Sequence, residues 1–193
     1  MATPEAAPAA AKPEAATPSS IEKATEPELP KLSAADFREY NQLAEMMELY
    51  HNHFRHTWNM LYKTCTTGSR PNGMSLRSFL NQGLQLCRSL TMHHTIEEQY
   101  FFPPLAERMP AFAENDHLIS QHELIHEGIV RLEEYLRACG GGERELRLPE
   151  LQGVLDSFGT VLWAHLDDEV RMLGAENMRR FWSKEEVGAL NIG

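Results

Sequence analysis

Four long stretches of this chain carry apolar residues at the three- and four-residue spacing of an amphipathic helix, and each is followed by glycine or proline. The first runs from Phe37 to Leu61 after a Ser33/Asp36 capping box, which predicts a helix at about 34–64. No stretch shows the alternation typical of a strand. We therefore expect an all-α fold, an up-down-up-down four-helix bundle with mostly short connections.

Similar signals bound the other predicted helices. The second, at about 75–102, kinks or stops at Pro103 and Pro104, and it carries Gly83 on its apolar face, where close approach of a neighbouring helix would explain a poor helix former. The third predicted helix begins at a cap, Asn115 or Asp116, and ends at Gly140–Gly142. The fourth begins near Pro149 and ends at Gly174. A further capping box, Ser183/Glu186, predicts a short C-terminal helix.

Residues 1–32 are dominated by Ala, Pro, Glu, Thr and Ser, with almost no large apolar side chain, so a disordered tail is predicted before a bundle domain at 33–193. The formal net charge of −10 argues against a nucleic-acid partner. No apolar run approaches the ~18 residues that span a bilayer, and no secretory signal is recognisable. We expect a cytoplasmic protein without a membrane partner, and assume a monomer.

The nine histidines lie between His51 and His165, within the predicted helices and their connections. At ~100° per residue, His51 falls on the apolar face of the first helix, whereas His53 and His56 point away from it. We therefore expect His51 to face the interior of the bundle.

Three further pairs put ligand-type residues one turn apart on the apolar faces of the other helices: His93–Glu97, His122–His126 and His165–Glu169. His94 and Glu98 are rotated by roughly a quarter turn from the first pair, so we expect them to support the ligands. Any one of these residues alone is more simply interpreted as a hydrogen-bonded histidine or a solvated carboxylate. Burying five imidazoles and two carboxylates together without a metal would cost several kcal/mol, so the set predicts seven metal ligands: His51, His93, Glu97, His122, His126, His165 and Glu169.

The donor types narrow the choice of metal. Five nitrogens with two carboxylates do not suit Mg²⁺ or Ca²⁺, and the lack of thiolates argues against structural zinc. Seven ligands exceed the needs of one ion with an open position. Two ions bridged by Glu97 and Glu169, either iron or manganese, would satisfy the count.

These motifs resemble the hemerythrin-like (HHE cation-binding) family over about residues 37–173: His51-Asn52, HHTIEEQYFFP at 93–103, QHELIHEG at 121–128 and HLDDE at 165–169. The resemblance implies a non-haem di-iron centre with Glu97 and Glu169 as bridges. It assigns His122, His126 and His165 to one iron, and His51 and His93 to the other. The second iron is then one ligand short, and that open position would bind dioxygen or peroxide.

One position departs from the pattern of oxygen-carrying hemerythrins, which typically have Asp five residues after the last histidine, where this chain has Val170. The shorter His165–Glu169 spacing is similar to that of family members proposed to sense iron or oxygen or to handle peroxide.

Three functions follow as hypotheses. The first is a di-iron protein that binds dioxygen or a related small oxidant, in oxygen or iron sensing or storage, for which a small dry pocket is expected. The alternative is a di-iron oxidase, oxygenase or peroxide-handling enzyme acting on an unknown small substrate, for which an enlarged polar cavity is expected. A structural bundle with zinc or without metal leaves the inward carboxylates unexplained.

Overall fold

The computed structural model describes residues 29–113 and 117–190, and all regular structure in these ranges is helical. The helices are α1 (Ala34–Thr67), α2 (Leu76–Ile96), α3 (Phe102–Ala106), α4 (His117–Gly141), α5 (Leu148–Met172), α6 (Ala175–Phe181) and α7 (Lys184–Ala189). The all-α prediction is confirmed. Most of the predicted tail, residues 1–28, lies outside the described residues, as do the two candidate caps Asn115 and Asp116.

The four long helices form a closed ring in which α1 packs against α2 and α5, and α4 packs against the same two helices. Neighbours run antiparallel, since the position of Gly83 on α2 meets Leu136 of α4, while Glu98, just beyond α2, meets His122 near the start of α4. A methyl group at Gly83 would lie 2.5 Å from Leu136 Cδ1, which confirms the close helix approach expected there. In the described ranges, no helix combines the length and apolar character needed to cross a membrane. Cytoplasmic location and monomeric state stay predictions.

Capping residues set several helix ends. Ser33 Oγ accepts the N–H of Asp36 at 3.1 Å, and Gly68, with φ of 71°, ends α1 by donating to Thr64 O. The predicted C-terminal helix is instead two helices, α6 and α7. The Ser183/Glu186 capping box begins α7 as expected.

The second helix continues past its predicted stop. A π-helical turn, Glu97–Phe101, follows α2, with the Phe102 N–H donating to Glu97 O, and α3 then begins. Pro103 and Pro104 lie in the first turn of α3, where backbone N–H groups need no helical partner, so the prolines restart the helix in a new register. The π turn lies at the level of the polar cluster described below.

Two apolar cores fill the bundle. The large core, toward the α1–α2 and α4–α5 loops, includes Phe54, Trp58, Phe79, Leu90, Ile125, Phe158 and Leu162. The small core, toward the C-terminal helices, includes Met47, Phe101, Phe102, Leu118, Leu173 and Met178. The polar side chains that matter for function lie between them.

Candidate metal centre

A layer of polar side chains separates the two cores, and every long helix contributes to it. On α1, His51 lies between Met47 of the small core and Phe54 of the large core. On α4, His122 lies in the same way between Leu118 and Ile125. Apolar layers on both sides therefore shield the cluster from water, which strengthens every electrostatic interaction inside it.

The ligand atoms of this layer form two groups, in each of which all the atoms lie within 4.8 Å of one another. We name them the closed group, consisting of His94, Glu97, His122 and His165, and the cavity group, consisting of His51, His93, Glu97 and Glu169. All these residues are buried except His93, whose side chain is 11% exposed. Glu97 belongs to both groups, as a bridging ligand would.

Three imidazoles are oriented by hydrogen bonds on the nitrogen that points away from the cluster. His51 Nδ1 donates to Leu166 O at 2.9 Å, His122 Nδ1 to Glu98 Oε1 at 2.8 Å, and His165 Nδ1 to a Gln121 oxygen at 3.3 Å. Because these oxygens only accept, each Nδ1 carries the proton and each Nε2 turns a lone pair inward. This is how metal-binding histidines are typically fixed.

The inward nitrogens come close together in pairs. Nε2 of His51 lies 3.2 Å from Nε2 of His93, and Nε2 of His122 lies 3.2 Å from Nε2 of His165. In the second pair neither nitrogen has a proton to donate, so two lone pairs face each other. Ligands ~2.1 Å from one ion, at an angle of about 90–110°, are about 3.0–3.4 Å apart, so the spacing suits nitrogens that share a cation.

The two buried glutamates complete the cluster. Glu97 Oε1 is 2.8 Å from His93 Nε2 and its Oε2 is 3.5 Å from His122 Nε2, so one oxygen faces each group. Glu169 Oε2 is 3.2 Å from His51 Nε2 and 3.8 Å from His165 Nε2. None of the four carboxylate oxygens has a hydrogen-bond partner among the described residues, and neither does His94 Nε2. Unpaired buried carboxylates are costly, and cations between them would remove that cost, so the donor set fits a carboxylate-bridged pair of metal ions.

Burial shifts the proton equilibria of these groups in the metal-free protein. Burial, reinforced by Glu169, raises the pKa of Glu97 well above its usual range. Burial also lowers the pKa of His93 to about 3 and holds the pKa of His94 and His165 well below the usual value. The imidazoles of His93, His94 and His165 are therefore neutral at pH 7, and a bound cation would favour the ionised form of Glu97.

Six of the seven expected ligands are brought together, and His126 is not. It is exposed on α4 and belongs to neither group. The buried arc of α4 is centred near Ile125, so His122 already lies toward its edge, and four more residues turn His126 about 40° farther out.

His94 contributes to the closed group in place of His126. It was expected only to support the ligands, yet it lies in line with Cys87 and Leu90 on the buried face of α2. Glu98, expected in the same supporting role, does accept the hydrogen bond of His122. Gln121 was missed, although its spacing from Leu118 and Ile125 places a polar residue on the apolar stripe, which is a usable signal.

A cavity of about 630 Å³ between α1 and α2 reaches the cavity group. His93 and Glu97 form part of its wall. The remaining lining residues are Met46, Met47, Tyr50, His53, Phe54, Gln85, Arg88, Ser89, Met92, Ile96 and Phe101. The closed group contributes only the shared Glu97 to this wall, so the cavity opens to the cluster on the side of His93.

Comparison with known proteins agrees with this geometry. The family model described as the hemerythrin HHE cation-binding domain matches residues 42–175. A curated protein of Cryptosporiopsis sp. (strain 8999), dimeric xanthone biosynthesis cluster protein R11, is 26% identical over 161 residues, which cover 78% of this chain. The chain spans 58% of the length of that relative. No solved structure is significantly similar to the chain.

Proposed function

We propose that this chain, which belongs to the hemerythrin HHE cation-binding family, holds two iron ions in its bundle core and binds dioxygen or peroxide there. The observation that carries the proposal is Glu97, whose two buried oxygens face different groups of imidazoles, one toward His93 and the other toward His122. A carboxylate in that position suits a bridge between two cations, and carboxylate-bridged iron pairs are established in helical bundles.

The residues divide between two positions. His94, His122 and His165 would hold the ion of the closed group, and His51 and His93 the ion of the cavity group, with Glu97 and Glu169 between them. The cavity group offers one imidazole fewer, so its ion would keep a position for the oxidant. When bound, a reduced iron pair supplies the two electrons that dioxygen needs to reach the level of peroxide.

The side chains around the ligands have defined tasks. Glu98, at 2.8 Å from His122 Nδ1, would make that imidazole a stronger donor, and Gln121 does the same more weakly for His165. The small core excludes bulk water, because Phe101 and Phe102 lie directly beside the cluster on the π turn and α3. Small molecules would reach the cluster from the cavity beside His93.

The cavity favours the enzyme over the sensor or store. A pocket of about 630 Å³ is far larger than dioxygen requires and lies within the usual range for organic ligands, although its wall is more apolar than expected for such an enzyme. The relative named for a xanthone biosynthesis cluster is consistent with a role in small-molecule metabolism. We therefore favour an oxidase, oxygenase or peroxide-handling enzyme, with reversible dioxygen binding as the second candidate.

The proposal is tested by loading the protein with ferrous iron under argon, mixing it with dioxygen and following dioxygen consumption with an electrode. We expect about one dioxygen consumed per iron pair, faster than the same iron in buffer, while zinc-loaded protein consumes none. Oxidation no faster than that of free iron contradicts the proposal. Return of the reduced spectrum on purging with argon would identify the second candidate.

A further inference from the structure

The cavity beside His93 is larger than a channel for dioxygen needs to be, and its lining is chemically more varied. Its volume of about 630 Å³ is roughly twenty times the ~30 Å³ share of a water molecule in the liquid. Three methionines line it, and their flexible thioethers adapt to apolar ligands of varied shape. The space therefore suits an organic molecule.

The lining changes from apolar to polar along the groove. Near the ligands His93 and Glu97, the wall is formed by apolar and aromatic residues such as Ile96 and Phe101. Farther along α2, toward its N-terminus, the wall contains Gln85, Arg88 and Ser89. A ligand that fills the groove would place an apolar body near the cluster and a polar group toward the far end.

Arg88 indicates that the polar group of the ligand carries a negative charge. Its guanidinium donates a hydrogen bond to Gln85 Oε1 at 2.9 Å. Within the described part of the chain, Arg88 forms no ion pair with a carboxylate. Arg88 is exposed at the polar end of a mostly apolar cavity, so its guanidinium can contact a ligand there without giving up a buried ion pair. Its planar donors suit a carboxylate, sulfonate or phenolate.

The helix sets the length of the ligand. Arg88 and His93 are five residues apart on α2, an axial rise of about 7.5 Å, and their side chains leave the helix about 140° apart on the two sides of the cavity wall. A molecule about 10 Å long could contact Arg88 and the cavity group together, which is the length of two or three fused or linked aromatic rings.

We propose that this cavity binds an elongated organic molecule with an aromatic body and a single anionic group, with the anion on Arg88 and the opposite end at His93 and Glu97. The inference rests on the proposed function for the reaction that would follow, but binding itself requires only the cavity and Arg88. It names the substrate class that the metal centre would serve.

Two fluorescent probes of nearly the same shape test the inference: anionic 8-anilinonaphthalene-1-sulfonate and neutral N-phenyl-1-naphthylamine. We expect each to bind at one site per chain. Arg88→Gln should weaken the anionic probe about tenfold and change the neutral probe less than twofold, because only the first loses a charge-assisted contact. Ile96→Trp should weaken both by filling the apolar part of the groove.

Arg77→Gln is the matched control, since Arg77 is exposed on the same helix but does not line this cavity. Equal effects of Arg88→Gln and Arg77→Gln on the anionic probe would overturn the inference, as would failure of both probes to bind at millimolar concentration. Iron content is measured on the same samples. Iron-loaded protein that binds neither probe refutes this inference alone, whereas probe binding with the predicted Arg88 dependence in a chain that takes up no iron supports it and refutes the proposed function.

Discussion

The two ligand groups share Glu97 but differ in how their imidazoles are held and in what they face. In the closed group, His122 and His165 are fixed by Glu98 and Gln121, and the ring of His94 stacks on His122 with centroids 4.0 Å apart. In the cavity group, His93 borders the cavity and lies against the ring of Phe54. His51 of the cavity group is also oriented, by Leu166 O, so the main difference between the groups is access: His93 of the cavity group borders the cavity, whereas no imidazole of the closed group does.

If the cluster holds metal as proposed, this difference would give the two sides of the centre different tasks. On the buried side, Glu98 and Gln121 orient the imidazoles from behind, which would make them stronger donors to a bound ion. The open side provides access for a ligand. The predictions below test that division, beginning with the residue that the two groups share.

The largest effect is expected from Glu97→Ala, which removes the bridging carboxylate from both groups. We expect iron content to fall from about two ions per chain to nearly none, measured by elemental analysis after anaerobic loading and desalting. Glu123→Ala, an exposed glutamate on α4, is the control and should keep full iron content. Full iron in Glu97→Ala would refute the shared bridge.

The second prediction compares His94, which is buried in the cluster, with His126, which is exposed. His94→Ala should lose the ion of the closed group and retain about one iron per chain, because its Nε2 is buried with no partner in the described structure except the cluster. His126→Ala should retain both ions, since His126 is exposed. The reverse result, with iron lost from His126→Ala only, would restore the assignment expected from sequence.

A smaller effect is expected from Glu98→Ala, which removes the acceptor behind His122 but no ligand. Loss of such a partner typically weakens metal affinity about 10–100-fold, so we expect that decrease for one of the two ions in a competition titration with a chelator. Glu127→Ala, on the exposed side of α4, should leave both affinities unchanged. An unaltered affinity in Glu98→Ala would mean that its hydrogen bond does not tune the closed group.

The smallest effect concerns how the unfolding free energy of the metal-free protein depends on pH. Burial depresses the pKa of His93, His94 and His165 well below its usual value, so these residues take up protons in the unfolded chain below about pH 6.5 but not in the folded one. Stability is therefore full above that pH and falls as the pH drops toward 5. Glu97, whose pKa is raised, has the opposite effect on the pH dependence of stability, but it is one group against several histidines.

Each such histidine contributes a slope of at most about 1.4 kcal/mol per pH unit. His94→Asn should reduce the slope of the unfolding free energy between pH 6.5 and 5 by up to that amount, measured by urea denaturation after metal removal. His126→Asn should not change it. Equal slopes in wild type and His94→Asn would show that His94 is protonated as easily in the folded state as in the unfolded one.

The sequence predicted most of the bundle because apolar periodicity and capping residues are local signals. The long helices and the Ser33 and Ser183 caps were found in this way. The π turn was not, because the prolines at 103 and 104 indicate a stop equally well, and only tertiary packing decides that the chain continues in a new register. Helix ends were also uncertain by a few residues, since the final turn depends on contacts made elsewhere.

The site was predictable where a ligand lies near the centre of a buried face, as His51 does. Helical phase was a weaker guide where two histidines are adjacent, because His93 and His94 both reach the cluster from opposite sides of the α2 stripe. His126 has the same spacing as the pairs that face the cluster, but it lies just beyond the buried arc of α4, which spacing alone does not reveal. The hydrogen-bond acceptor behind His51, Leu166 O, could not be predicted, because every residue has a backbone carbonyl and the sequence does not show which one accepts.

The central claim is that one bundle core holds two metal ions sharing Glu97, and iron stoichiometry tests it most directly. Wild-type protein is titrated with ferrous iron under argon, desalted and analysed for iron per chain. The two ligand groups predict saturation at about two irons per chain. Saturation at one iron, or no retained iron, would contradict the account.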